Sequence, residues 1–147
     1  MMRNLKALGI ALLAAGLWVG AQVQAAEDKA MGLFLNLSSF QTGPAGHALH
    51  FAGNQLDRGH PVTLFLNGPA VMYASKSAPQ ATFPMAEKTL QEMLQGLMKG
   101  GAKVIVCRVC TKMHGMNEAD LIDGAMLGNP ELVADSLFDP KYQVISW

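Results

Sequence analysis

Charge is scarce in this chain of 147 residues: 15% are Asp, Glu, Lys or Arg, and the formal net charge is zero. The Lys and Arg residues are scattered singly, so there is no basic stripe to track a nucleic-acid backbone, and no nucleic-acid partner is expected. Also missing are a Gly-rich phosphate loop, a nucleophile elbow and a paired-carboxylate arrangement, the usual signs of nucleotide, acyl-transfer or glycosidase chemistry. No motif calls for a cofactor. Cysteine is limited to two residues, with no second C-x-x-C or H-x-x-H to complete a four-ligand zinc site, so no metal site is assigned. Internal repeats and low-complexity linkers are lacking too. What remains is a well-packed chain, half of it hydrophobic, long enough for one domain with a real core.

Part of that apolar excess sits at the N-terminus. Residues 1–25 read as a secretory signal peptide: Arg3 and Lys6 form a basic start, and Ala7 to Ala21 an apolar core of about 15 residues. Val23-Gln24-Ala25 then supplies small or apolar residues at a cleavage site. The core is shorter than the roughly 20 residues a membrane-spanning helix needs; the competing reading is an uncleaved N-terminal anchor. Nothing later is apolar for long enough to span. The mature chain, residues 26–147, is therefore expected to be one soluble, exported domain, periplasmic or secreted and without membrane contact. Setting Arg3 and Lys6 aside leaves it near −2 in net charge.

The mature chain alternates between strand and helix signals. Gly32 to Leu37 is a near-continuous apolar run, as a strand buried on both faces requires. Gln41-Thr42-Gly43-Pro44 predicts a helix start capped by Thr42 or Gly43, and Ala45, Ala48, Leu49, Ala52 and Leu56 continue at helical spacing. His60 to Leu66 is a second strand, so the opening is a βαβ unit with parallel strands. Residues 70–84, with Pro79 and Pro84, predict a short helix and a loop over the sheet edge. Leu90, Met93, Leu94 and Leu97 mark a second helix, closed by Gly100-Gly101. Lys103 to Cys107 is the third strand, Asn117 starts a further helix with Asp120 in a capping-box position, and Ala125-Met126-Leu127 is a short strand. Asn129-Pro130 then opens a helix to Leu137, and Tyr142 to Ser146 is the last strand. The fold class is α/β: a three-layer domain on a four- or five-stranded, mostly parallel sheet.

Both cysteines fall in one stretch, Cys107-Arg108-Val109-Cys110-Thr111-Lys112-Met113-His114-Gly115, where a buried strand ends. A C-x-x-C bridge closes too short a loop to add much stability, which points to chemistry instead. Ligands of open parallel sheets bind beyond the carboxyl ends of the strands. The loops Ser38–Gly43, Asn67–Ala70 and Cys107–Gly115 should therefore converge, with Ser38 and Asn67 lining the site. A helix N-terminus and the cations Arg108, Lys112 and His114 would favour thiolate over thiol, the form that attacks sulfur and carries a persulfide.

These residues resemble the DsrE-like family of small sulfur-relay proteins. The likeness is carried by Gly32 to Leu37, by Val104 to Met116, by Ala119-Asp120-Leu121-Ile122-Asp123-Gly124, and by the closing Val144-Ile145-Ser146-Trp147. The resemblance implies a flavodoxin-like layering and assembly as trimers or hexamers. It also implies a persulfide-bearing cysteine eight residues before the helix-starting Gly, which counts back from Gly115 to Cys107, with Cys110 as an additional thiol. Two departures stand out. The signal peptide places the chain in an oxidising compartment, where the pair can close as a disulfide, and His114 replaces the basic residue that commonly precedes the Gly.

Three functional classes follow. In the first, Cys107 accepts sulfane sulfur from a donor protein or small sulfur compound and hands it to an acceptor, which would make the chain sulfurtransferase-like. The second is a thiol-disulfide oxidoreductase using Cys107 and Cys110, although the motif comes late in the chain and no matching Pro is evident. The third is a non-catalytic assembly module in which Cys107, Cys110, Met113, His114 and Met116 hold a soft metal. His47, His50, Ser39 and Thr42 are explained by surface exposure or capping, and Met93 and Met98 by the core.

Overall fold

The computed structural model describes residues 31–147, so the predicted signal peptide lies outside the described residues. The chain runs β1 (Gly32–Leu37), α1 (Thr42–Asp57), β2 (Val62–Leu66), a 3-10 helix (Gly68–Ala74), the short strands β3 (Thr82–Phe83) and β4 (Lys88–Thr89), and α2 (Leu90–Lys99). It continues through β5 (Lys103–Val106), α3 (Arg108–Met113), a 3-10 turn (Glu118–Asp120), β6 (Met126–Leu127), α4 (Pro130–Leu137) and β7 (Tyr142–Ser146). Five strands form one sheet in the order β6-β5-β2-β1-β7, and every pairing in it is parallel. No described helix is long and apolar enough to cross a membrane.

Handedness explains where the helices lie. From β1 through β2 and β5 to β6 the chain steps across the sheet in one direction, and right-handed crossovers keep every connection on the same face. The return from β6 to β7 reverses direction, which sends α4 to the opposite face. The two faces are filled unequally. Leu35, Leu64 and Val104 share one register row and are wholly buried beneath α1 and α2. The other face points to α4: Phe34 on β1 and Ile105 on β5 are buried, whereas Phe65 on the strand between, in register with Ile105, is only half-buried. Buried Thr63 and Ser136 meet at 3.5 Å through their hydroxyls and tie α4 to β2.

Local chemistry sets the element ends, with some departures from expectation. The residue before α1 is Gln41, in extended conformation and without a side-chain cap; Thr42 and Gly43 are already helical, and Pro44 fits because first-turn N–H groups need no partner. The Thr89 hydroxyl accepts from the Glu92 N–H at 3.1 Å and the Glu92 carboxylate from the Thr89 N–H at 2.7 Å, a full capping box for α2. These bonds from Thr89 hold the Glu92 carboxyl below its ordinary value. Asn129 caps α4 by accepting from the Leu132 N–H at 2.7 Å. After Asn117 the chain makes only a 3-10 turn, because the Ile122 N–H is drawn to the Ala74 carbonyl at 2.8 Å and Leu121 and Ile122 enter the core. Residues 82–89 form an antiparallel β3-β4 pair packed on α1, not a loop over the sheet edge: the Phe83 ring fills the notch left by Gly46.

Candidate functional site

Strand β5 ends one residue earlier than its apolar pattern suggests. Cys107 leaves the sheet and becomes the N-terminal cap of α3, its Sγ accepting from the Cys110 N–H at 3.2 Å. The Thr111 hydroxyl, buried, donates to the Cys107 carbonyl at 2.8 Å, and the Cys107 N–H reaches the Leu66 carbonyl at 2.8 Å. Cys107 is thereby tied to β2 and to its own helix. One helical turn brings Cys110 back beside it, with 5.3 Å between the Cα atoms and the two sulfurs bonded as a disulfide.

The two sulfurs face different surroundings. Cys110 Sγ accepts from the Gly68 N–H at 3.2 Å, across the turn that follows β2. Gly68 has φ +52°, in the left-handed region where a Cβ is unfavourable, which is how the turn aims that N–H at the sulfur. Cys107 instead lines an open cleft of about 380 Å³ between the sheet and α4. Phe65 is among its walls, together with Val109 from α3 and Val133, Leu137 and Phe138 from the α4 side. Arg108 is the one charged side chain in that lining, its Nε donating to the Gly128 carbonyl at 3.1 Å. A Cβ at Gly128 would come within 3.1 Å of the Val106 carbonyl, so this close approach of β6 to β5 depends on glycine.

Amide N–H groups aimed at both sulfurs stabilise negative charge on them once the bond is opened, and Arg108 adds a fixed positive charge in the cleft. The other predicted site residues are placed differently. Lys112 and His114 sit exposed at the last turn and C-terminal cap of α3, where cations complement the helix dipole. The Ser38 hydroxyl donates to the Trp147 carbonyl at 3.0 Å, and Asn67 donates its amide to Asn36, which in turn reaches Ser146 at 3.3 Å. Those contacts follow β1 and β7, where the strand order reverses, whereas the cysteines lie at the end of β5. Of the three loops expected to converge, the second and third meet at Gly68 and Cys110, and the first leans in through Phe40, stacked on Tyr73 at 5.6 Å. Gly68, Phe65 and the α4 wall were not singled out from sequence; the only signal was the Asn67-Gly68-Pro69 break after β2. Among the described residues no group of three or more His, Cys, Asp and Glu side chains is placed to hold a metal ion.

A model of the DsrE/DsrF-like family matches residues 23–146. The chain belongs to this family. Outside the family model, the DsrE-like chain is 38% identical over 80 residues to the uncharacterized protein MJ0989 of Methanocaldococcus jannaschii, covering 54% of this chain and 67% of that one. Its fold is similar to that of the ychN protein from E. coli, with a TM-score of 0.66 at 20% identity over 80% of this chain and all of the other. It is likewise similar to MTH1491, a protein of unknown function from Methanobacterium thermoautotrophicum, with a TM-score of 0.64 at 9% identity over 78% of this chain and 97% of the other. At those identities the structural likeness speaks for the α/β fold alone. Membership in the DsrE/DsrF-like family suggests a sulfur-relay role.

Proposed function

We propose that this DsrE-like protein carries sulfane sulfur as a persulfide on Cys107 and passes it to an acceptor protein or small sulfur compound. The observation that supports this most is the position of Cys107, half-buried, at the mouth of an apolar cleft, with Cys110 bonded behind it. A dithiol reductant opens the pair. The Cys107 thiolate then attacks the outer sulfur of a persulfide or polysulfide donor; the donor's S–S bond breaks, and the donor leaves as a thiolate. Cys107 now bears the extra sulfur. Two exits exist. An acceptor thiolate takes the outer sulfur, or Cys110 attacks the inner one, releasing hydrosulfide and closing the disulfide again.

The protein is further proposed to work outside the cytoplasm, periplasmic or secreted, and as a trimer or hexamer. The N-terminal sequence supports the first. Exposed Met113 and Val144, the latter on edge strand β7, support the second. Size-exclusion chromatography with light scattering checks the assembly.

The closed disulfide favours one competing reading, a thiol-disulfide oxidoreductase. Intact-mass analysis after dithiol reduction and incubation with polysulfide separates the two. Sulfur carriage requires one extra sulfur on wild type and none on Cys107→Ser. Both thiols staying free under every donor, with rapid reduction of a protein disulfide substrate, would establish the oxidoreductase instead.

A further inference from the structure

The cleft beside Cys107 is poorly suited to small inorganic donors. Among its described walls, aromatic and aliphatic side chains predominate, the only charge is that of Arg108, and no carboxylate is present. A dianion such as thiosulfate would lose hydration there against a single cation, which is unfavourable. A monoanion with an apolar body matches both features, since its body covers Phe65, Val133 and Leu137 while one guanidinium balances its charge. The volume of about 380 Å³ lies within the range of small-molecule sites.

We infer that the Cys107 cleft selects a small organic sulfur monoanion, an apolar body bearing a singly charged sulfane-sulfur head, of which an aryl thiosulfonate is a representative. This rests on the sulfur-carrying reading and adds the donor class to it. In the step, the Cys107 thiolate attacks the terminal sulfane sulfur of the thiosulfonate. A new S–S bond forms at Cys107, the bond to the sulfonyl sulfur breaks, and an organic sulfinate leaves with the electron pair. No proton and no external electron are consumed, and total charge is conserved. Arg108 offsets the repulsion between the two anions as they approach. A dithiol opens the Cys107–Cys110 bond beforehand and is itself oxidised to a disulfide.

The test uses the full chain, reduced with dithiothreitol and freed of it, and two donors that share a reacting group. Rate constants for sulfur transfer to Cys107 from benzenethiosulfonate and methanethiosulfonate are read by intact mass, each divided by the rate with free dithiothreitol. The phenyl donor is expected to be favoured by about tenfold or more. That preference should fall toward unity in Val133→Asp and in Phe138→Ser, the latter at a position 79% exposed, where folding is insensitive to the change. Inorganic polysulfide serves as the reference. If polysulfide loads Cys107 and the two thiosulfonates react alike, the donor class is wrong and sulfur carriage stands. If no donor loads Cys107, sulfur carriage falls. Titration of Cys107→Ser with unreactive benzenesulfonate then decides the cleft by itself: chemical-shift changes at Phe65 and Val133 support the inference, and their absence overturns it.

Discussion

On one face of the sheet Leu64 is wholly buried beneath α1 and α2; on the other, its neighbour Phe65 stays half-buried beneath α4. The two side chains are adjacent in sequence and alike in hydrophobicity, so their difference comes from what covers them. Helices of sixteen and ten residues close the first face. A helix of eight, anchored by the Thr63–Ser136 contact, covers the second and leaves the cleft that Cys107 lines. The closed face supplies stability and the open one supplies access.

The largest contrast is expected when each face is broken in turn. Cys107→Ser should abolish sulfur uptake, read by intact mass, while its urea midpoint stays near that of the reduced wild type. Loss of folding on this change would mean that the open face also carries the stability. Leu64→Ala should cost about 2–5 kcal/mol in urea unfolding, because the closed face cannot collapse around the missing atoms. Phe65→Ala should cost less, about 1–3 kcal/mol, since part of that ring is already in water; an equal cost would erase the distinction between the faces.

Tyr73 sharpens the comparison at the carboxyl edge of the closed face. Its side chain is buried, its hydroxyl has no hydrogen-bond partner among the described residues, and burial raises its pKa to about 12. The folded value lies above the unfolded one of roughly 10, so this contribution is full below pH 10 and is lost as pH rises through 12. Tyr73→Phe should flatten the alkaline loss and be neutral or mildly stabilising at pH 7. Unfolding midpoints measured from pH 7 to 12 check both. The smallest effect is expected at Gly68→Ala, about 1 kcal/mol from the left-handed φ. Its second readout is a changed reduction potential of the Cys107–Cys110 pair, because the donor to Cys110 moves; an unchanged potential would show that the Gly68 N–H has no influence on the sulfur.

How much of this was legible beforehand varied with sequence separation. β1, β2 and β5 were readable because strands paired on both sides and covered on both faces need near-continuous apolar runs, and the edge strand β7 because Tyr142, Val144 and Ile145 are strand-forming residues. The two-residue strands β3 and β4 were not, since nothing in residues 82–89 alternates for long enough; Phe83 is held there by the Gly46 notch on a different element. The helix expected from Asn117 shrank to a 3-10 turn once Leu121 and Ile122 were pulled into the core. At the site, the C-x-x-C spacing announces the sulfur pair by itself. Gly68, the donor to Cys110, is 42 residues upstream, and its role depends on a contact that no local pattern encodes.

The sequence by itself determined the chemistry available, two thiols one helical turn apart after a buried strand, and the alternation that makes the fold α/β. Only the tertiary structure decided which way each sulfur faces and what it meets. The physical reason is handedness combined with strand alternation. Leu64 and Leu66 point to the helices of the outward crossovers, Phe65 points the other way, and the return crossover must place α4 on that second face. The wall of the cleft therefore comes from residues 133–138, which acquire a role beside Cys107 only when the sheet is assembled.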